Sequence, residues 1–136
     1  MKKVKGKISK YFTIDDYGVN QTGTVTITPE ALVHAKMLDE FYDWMNWKNP
    51  AEVSAWFRTP EYNKKVGGID NSNHLNGVAS DHLVGQFTDT RFNKYARKWK
   101  EICEKYNVIG EIGRYPWGIH LGSHCKHRRF IVFDKR

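Results

Sequence analysis

The sequence predicts an α+β fold, a small antiparallel sheet packed with two main helices. Three observations predict it. Apolar residues recur at helical spacing in two long segments, 29–49 and 89–106. Short runs rich in β-branched and aromatic residues lie between and after those segments. No repeat, low-complexity tract or linker-like stretch interrupts them, so residues 1–136 are read as one domain, long enough for a single core.

Each element has its own justification. Thr28, Pro29 and Glu30 supply a cap and a proline at the first helical position, and Leu32, Ala35, Leu38, Tyr42 and Met45 follow at helical spacing toward a stop before Pro50. In "AEVSAWF", Val53, Ala55 and Phe57 alternate as a strand would. Thr59, Pro60 and Glu61 repeat the helix start, and Gly67 and Gly68 close that short element. A strand over 78–83 sends Ala79 and Asp81 to one face, with His74 before it in a turn that Gly77 helps to bend. The second long helix spans 89–106, with Phe92, Tyr95, Ala96, Trp99, Ile102, Cys103 and Tyr106 on one face. "VIGEI", "WGIHL" and "RRFIVFD" then read as an antiparallel sheet, with "GRYP" the turn between the first two.

Charge and cysteine usage narrow the function. The 22 Lys and Arg exceed the 15 Asp and Glu by seven, which favours anionic partners. Outside 1–10 and 126–129 the basic residues are scattered, so a solvated basic surface is expected rather than a nucleic-acid groove, and neither nucleic acid nor membrane is an expected partner. Cys103 and Cys125 fit neither a C-x-x-C nor a finger spacing and are read as free thiols. The start "MKKVKGKISKYF" has the charge of a signal peptide without its apolar centre, so synthesis in the cytoplasm without a signal peptide is expected.

The stretch "NSNHLNGVASDH" carries the chemistry. An imidazole nitrogen from His74 and a carboxylate oxygen from Asp81 can each approach zinc at about 2.0–2.2 Å, and small Ala79 leaves room above the sheet. A hydrolytic zinc needs a third protein ligand and an open water position.

Ser72, His74, Gly77, Ala79 and Asp81 spell S-x-H-x-x-G-x-A-x-D in full. This resembles the first zinc motif of the D-alanyl-D-alanine carboxypeptidase and L-alanyl-D-glutamate endopeptidase family, peptidoglycan-cleaving zinc peptidases that include phage endolysins. "WFRTPEYNKKVGG", "GRYPWGIHLG" and the lead-in "KISKYFTIDDY" with "ITPEAL" extend the resemblance over most of the chain. It implies a hedgehog/D-Ala-D-Ala peptidase-like fold, Zn2+ on His74, Asp81 and His120, and Arg58 orienting or polarising a substrate carbonyl or carboxylate. Ser72 and Trp117 join Arg58 as expected substrate contacts. Among the aromatic residues flanking the site, Trp56, Tyr62, Tyr115 and Trp117, some are expected in the core and one or two along a peptide groove.

The family's proton carrier lies three residues before the third ligand or two beyond it, and here those positions hold Trp117 and Gly122, which transfer no proton. Three substitutes stand: Glu111 across the hairpin, His124 some 13 Å further along an extended strand, and His82 on the opposite face. Glu111 is the first choice. "SHCKHRR" gathers His124, Cys125 and His127 but lacks a fourth ligand, and is read as a basic loop rather than a second metal site. The functional expectation is a zinc-dependent peptidase acting on the stem peptide of bacterial peptidoglycan, of phage or prophage derivation, reaching the wall after release or as a virion component. A catalytically silent peptidoglycan-binding module that keeps the zinc is the alternative, and a small nucleic-acid-binding protein, motivated only by charge, is the third.

Overall fold

The structure is a computed structural model that describes residues 6–46, 52–69 and 71–136. Pro50 and Ala51, where the first helix was expected to stop and the first strand to begin, lie outside the described residues, as do residues 1–5 of the basic start. In chain order the elements are α1 (Ile14–Tyr17), α2 (Pro29–Met45), β1 (Glu52–Ala55), α3 (Pro60–Lys65), a 3-10 turn (Asn73–Asn76), β2 (Ala79–Leu83), α4 (Asp89–Lys105), β3 (Glu111–Tyr115), β4 (Gly118–Gly122) and β5 (Ile131–Asp134). Among the described residues no helix is long and apolar enough to cross a membrane.

Two helix starts, at Thr28 and Thr59, follow the predicted chemistry, and a third, at Thr88, repeats it. Thr28, Thr59 and Thr88 each accept a hydrogen bond from the backbone N–H three residues on, at Ala31, Tyr62 and Arg91. Thr13 does the same for α1 and forms a reciprocal capping box with Asp16; that helix is one turn long, too short to leave a period in the sequence. In α2 the buried stripe runs through Ala31, His34, Ala35, Leu38, Phe41 and Tyr42. Leu32, expected on that face, is 40% exposed because it sits one residue, about 100°, around the helix from Ala31. In α4 the expected face buries Phe92, Tyr95, Trp99, Ile102 and Cys103.

The five strands lie in the order β1-β2-β4-β3-β5. Every neighbouring pair is antiparallel except β3 with β5, which runs parallel. The last strand is thus not a further hairpin: residues 123–130 carry the chain across to the far edge before β5 begins. "GRYP" is also corrected, since Gly113, Arg114 and Tyr115 pair within β3 and the chain turns through Pro116 and Trp117. Gly113 belongs to the strand because the Phe133 ring occupies the space a Cβ would take.

One face of the sheet receives α2 and α4. Ser80 and His82 of β2 point to that side, where Ser80 meets His34 and His82 meets Tyr42. Trp99, fully buried, donates its indole N–H to the Gly122 carbonyl at 2.9 Å and packs edge-on to Phe41 and His34. Alternation along β2 leaves Ala79 and Asp81 on the opposite face. Trp99→Ala removes the largest side chain joining α4 to both α2 and the sheet. It should lower unfolding free energy by about 3–5 kcal/mol, read as a fall in the denaturant midpoint at unchanged slope.

Candidate metal centre

Asp81 and His120 stand directly opposite each other on adjacent strands β2 and β4. His120 Nδ1 lies 2.8 Å from Asp81 Oδ1, and His74 Nε2 lies 3.5 Å from Asp81 Oδ2. One ligand atom from each of His74, Asp81 and His120 lies within 4.8 Å of the other two, and all three residues are buried. Ligands about 2.0–2.2 Å from a tetrahedral metal stand roughly 3.4 Å apart, so this spacing suits one ion.

His74 reaches the cluster from the 3-10 turn. Ser72 caps that turn by accepting from the His74 N–H at 3.2 Å, and Gly77 closes it in the left-handed region at φ 72°. A side chain at Gly77 would also collide with the Tyr17 hydroxyl, so both backbone and packing require glycine there. The His74 carbonyl accepts from the Arg58 N–H at 3.0 Å, tying the turn to the chain after β1. His74 Nδ1 donates to the Trp56 carbonyl at 2.7 Å, which leaves the Nε2 lone pair facing Asp81.

His120 is oriented from behind. Its Nε2 lies 2.6 Å from Glu111 Oε2, and Glu111 Oε1 lies 2.8 Å from His127 Nε2. Glu111 is the cross-strand partner of Gly122, and a Cβ at Gly122 would come within 2.5 Å of Glu111 Cγ. The bare glycine is the space through which the carboxylate reaches His120.

The electrostatics favour a cation. Burial disfavours the Asp81 carboxylate, but hydrogen bonds with His120 and His74 outweigh it and hold the acid well below the usual range. Burial likewise opposes ionisation of Glu111, yet His120 and His127 hold it down to about 2. Burial would lower His120; its two carboxylates overcome that and push it up to about 9. The two carboxylates that favour a proton on this ring also favour a metal ion beside it. Burial pushes His74 the other way, toward the neutral ligand form, against the pull of Asp81.

Arg58 forms the rim. One terminal nitrogen is 3.9 Å from Asp81 Oδ2 and the other 3.2 Å from Asn63 Oδ1. Its Nε is the buried side-chain nitrogen left without a partner among the described residues.

Over the cluster lies a groove of about 830 Å³. Its walls include the basic residues Arg58, Lys126 and Lys135 and the apolar or aromatic residues Ile69, Tyr115 and Phe133. Ser72 lines it too, with its hydroxyl engaged in capping. Trp117 stands at the hairpin tip and stacks on Tyr115 at 4.6 Å; Tyr115 is the ring of that pair on the groove wall. Trp56 is wholly core. His82 is fully buried on the helix side, and His124 turns its Nδ1 to Ser123 at 2.9 Å; neither faces the groove. Lys126, His127 and Phe133 were not singled out in the sequence as groove residues. Only the pairing of β3 with β5, and the loop joining β4 to β5, bring them there.

A family model described as Peptidase M15 matches residues 10–121, which hold all three cluster residues, Arg58 and Glu111. The chain belongs to the M15 peptidase family. M15 peptidases are zinc peptidases of the D-Ala-D-Ala carboxypeptidase and endopeptidase type, and an α+β fold with a mostly antiparallel five-stranded sheet is consistent with theirs. No curated protein matches the chain. For an M15 peptidase the donor set fits the expected metal: two imidazoles and one carboxylate, each able to offer a lone pair to a common point. Gly122→Ala should drive the Glu111 carboxylate off His120. The expected cost is about 10–100-fold in metal affinity, measured by competition with a chromogenic chelator, with the fold retained by circular dichroism.

Proposed function

We propose that the protein is a zinc-dependent peptidase that cleaves the stem peptides of bacterial peptidoglycan. The observation that carries this reading is the convergence of His74, Asp81 and His120 within the family-matched segment. Zinc bound there would supply a Lewis acid for the scissile carbonyl and lower the pKa of a bound water to about 7.

The chain's own residues account for the remaining work. Arg58 presents a fixed fork of donors at the rim, with Nε unsatisfied, and holds a carbonyl or carboxylate of the peptide. Glu111, ionised and bridging His120 and His127 in the hydrogen-bond chain His74, Asp81, His120, Glu111, His127, takes the proton from the attacking water and returns it to the leaving amine. The same carboxylate fixes the His120 ring. Tyr115, with Trp117 stacked behind it, and Ser72 form the peptide-facing wall. Lys126 and Lys135 favour a substrate carrying free carboxylates, and the net charge of +7 favours approach to an anionic wall. We further propose a setting in wall lysis, as a phage- or prophage-derived enzyme made in the cytoplasm or carried on a virion. The presence of a carboxylate beside His120 favours this reading over a silent binding module.

The purified protein should bind about one tight equivalent of zinc, and His74→Ala should abolish both zinc retention and the release of new amino termini from cell walls. Undiminished hydrolysis by metal-free protein would refute the reading. Glu111→Gln should keep zinc and lower kcat by about 10²–10⁴-fold. Arg58→Ala should reduce kcat/KM by about 10- to 150-fold, the worth of a charge-assisted hydrogen bond of roughly 1.5–3 kcal/mol.

A further inference from the structure

The loop after β4 gathers a second set of ligand-type side chains. A carboxylate oxygen of Glu111, Cys125 Sγ and a ring nitrogen of His127 all lie within 4.8 Å of one another. The loop is built to hold them. His124 takes a left-handed φ of 53°, and the Cys125 N–H donates to the Ile109 carbonyl at 2.9 Å, pinning the thiol beside the start of β3. Asn73 Nδ2 donates to Cys125 Sγ at 3.3 Å, while burial and the Glu111 carboxylate push the thiol up, so the sulfur gives up its proton only when a cation binds. The His127 side chain is 38% exposed, so a further position faces solvent.

We propose that Glu111, Cys125 and His127 form a second metal site, for a borderline-soft divalent ion such as zinc or cadmium, that shuts down turnover when filled. One sulfur, one imidazole and one carboxylate favour such ions over magnesium, calcium or manganese, which prefer oxygen alone. Binding exchanges the Cys125 S–H bond for a sulfur–metal bond and releases that proton to solvent. His127 gives up its hydrogen bond to Glu111 Oε1, and both atoms become ligands. A carboxylate bound to a cation is a weak base, so Glu111 no longer carries a proton for the neighbouring centre. The site itself stands independently of the proposed peptidase function; the loss of turnover rests on that reading and on Glu111 as its proton carrier.

The test is a cadmium titration of the metal-freed full chain, followed by the ultraviolet thiolate-to-cadmium charge-transfer band. The parent should bind about two equivalents, one of which raises the band. Cys125→Ser should lose the band and keep one equivalent, and Cys103→Ser should keep the band. His127→Gln, a change at a part-exposed side chain, should weaken the band-forming equivalent by about 10–100-fold or more, the cost of losing even a partner behind a ligand. His74→Ala dismantles the first centre and should leave the band intact, so failure of the first reading is told apart from failure of this one. A parent without the band, or a band surviving in Cys125→Ser, overturns the site. Excess zinc should slow wall hydrolysis by the parent and not by Cys125→Ser; equal slowing of both, or none in the parent, overturns the link to turnover.

Discussion

Asp81 faces His120 across the neighbouring inner strands β2 and β4, and the rest of the centre is arranged around that pairing. An isolated carboxylate taken from water costs several kcal/mol, and Asp81 is 8% exposed. Two imidazoles meet its two oxygens, and the Arg58 guanidinium stands at the edge. Each of those partners is held from behind in turn: His74 by the Trp56 carbonyl, His120 by Glu111, Arg58 by Asn63. The cost of burying one acid therefore fixes the orientation of three further side chains, which is the preorganisation a metal site needs.

The same pairing divides the histidines between two faces. Ser80 and His82 flank Asp81 by one residue and so point toward α2. There a hydrogen-bonded series runs from His124 through Ser123, His34 and Ser80 to His82 and Tyr42. Burial lowers His34 well below its ordinary value and takes His82 down to about 3, so these rings serve as neutral links between hydroxyls. A one-residue slip of β2 would send His82 toward the groove and Asp81 into the helices. The buried polar series opposes that slip because its hydroxyls and ring nitrogens would lose their partners.

The sequence was most informative where a feature is local. The helix caps at Thr28 and Thr59 depend on residues within one turn, and the long helices show their period directly. His74 and Asp81 lie seven residues apart in a motif dense with small residues, and their convergence is legible from strand alternation and one turn. The parallel β5 was not legible, because 131–134 has the same alternating composition whichever edge it joins. "GRYP" misled because Gly113 looks like a turn residue until Phe133, twenty positions later, is found packed over it. The loop 123–127 brings His124, Cys125 and His127 together in sequence, but in space His124 turns to Ser123 and Glu111, from another strand, stands with Cys125 and His127.

Glu111 shows why a search along the chain for an acidic side chain near His120 finds nothing. The position two residues beyond His120 on the same strand is Gly122, which has no side chain, and the residue opposite Gly122 is Glu111. Directly paired residues on neighbouring strands have Cβ positions about 4.5–5.5 Å apart, so a glutamate on one can occupy the volume above a glycine on the other. The carboxylate thus reaches the ring of His120 from β3 instead of from β4, at 2.6 Å. Sheet pairing allows either strand to supply an acidic oxygen at that point in space. Taking it from β3 also leaves the second oxygen of Glu111 free to meet His127, a contact that a carboxylate on β4 would have no reason to make.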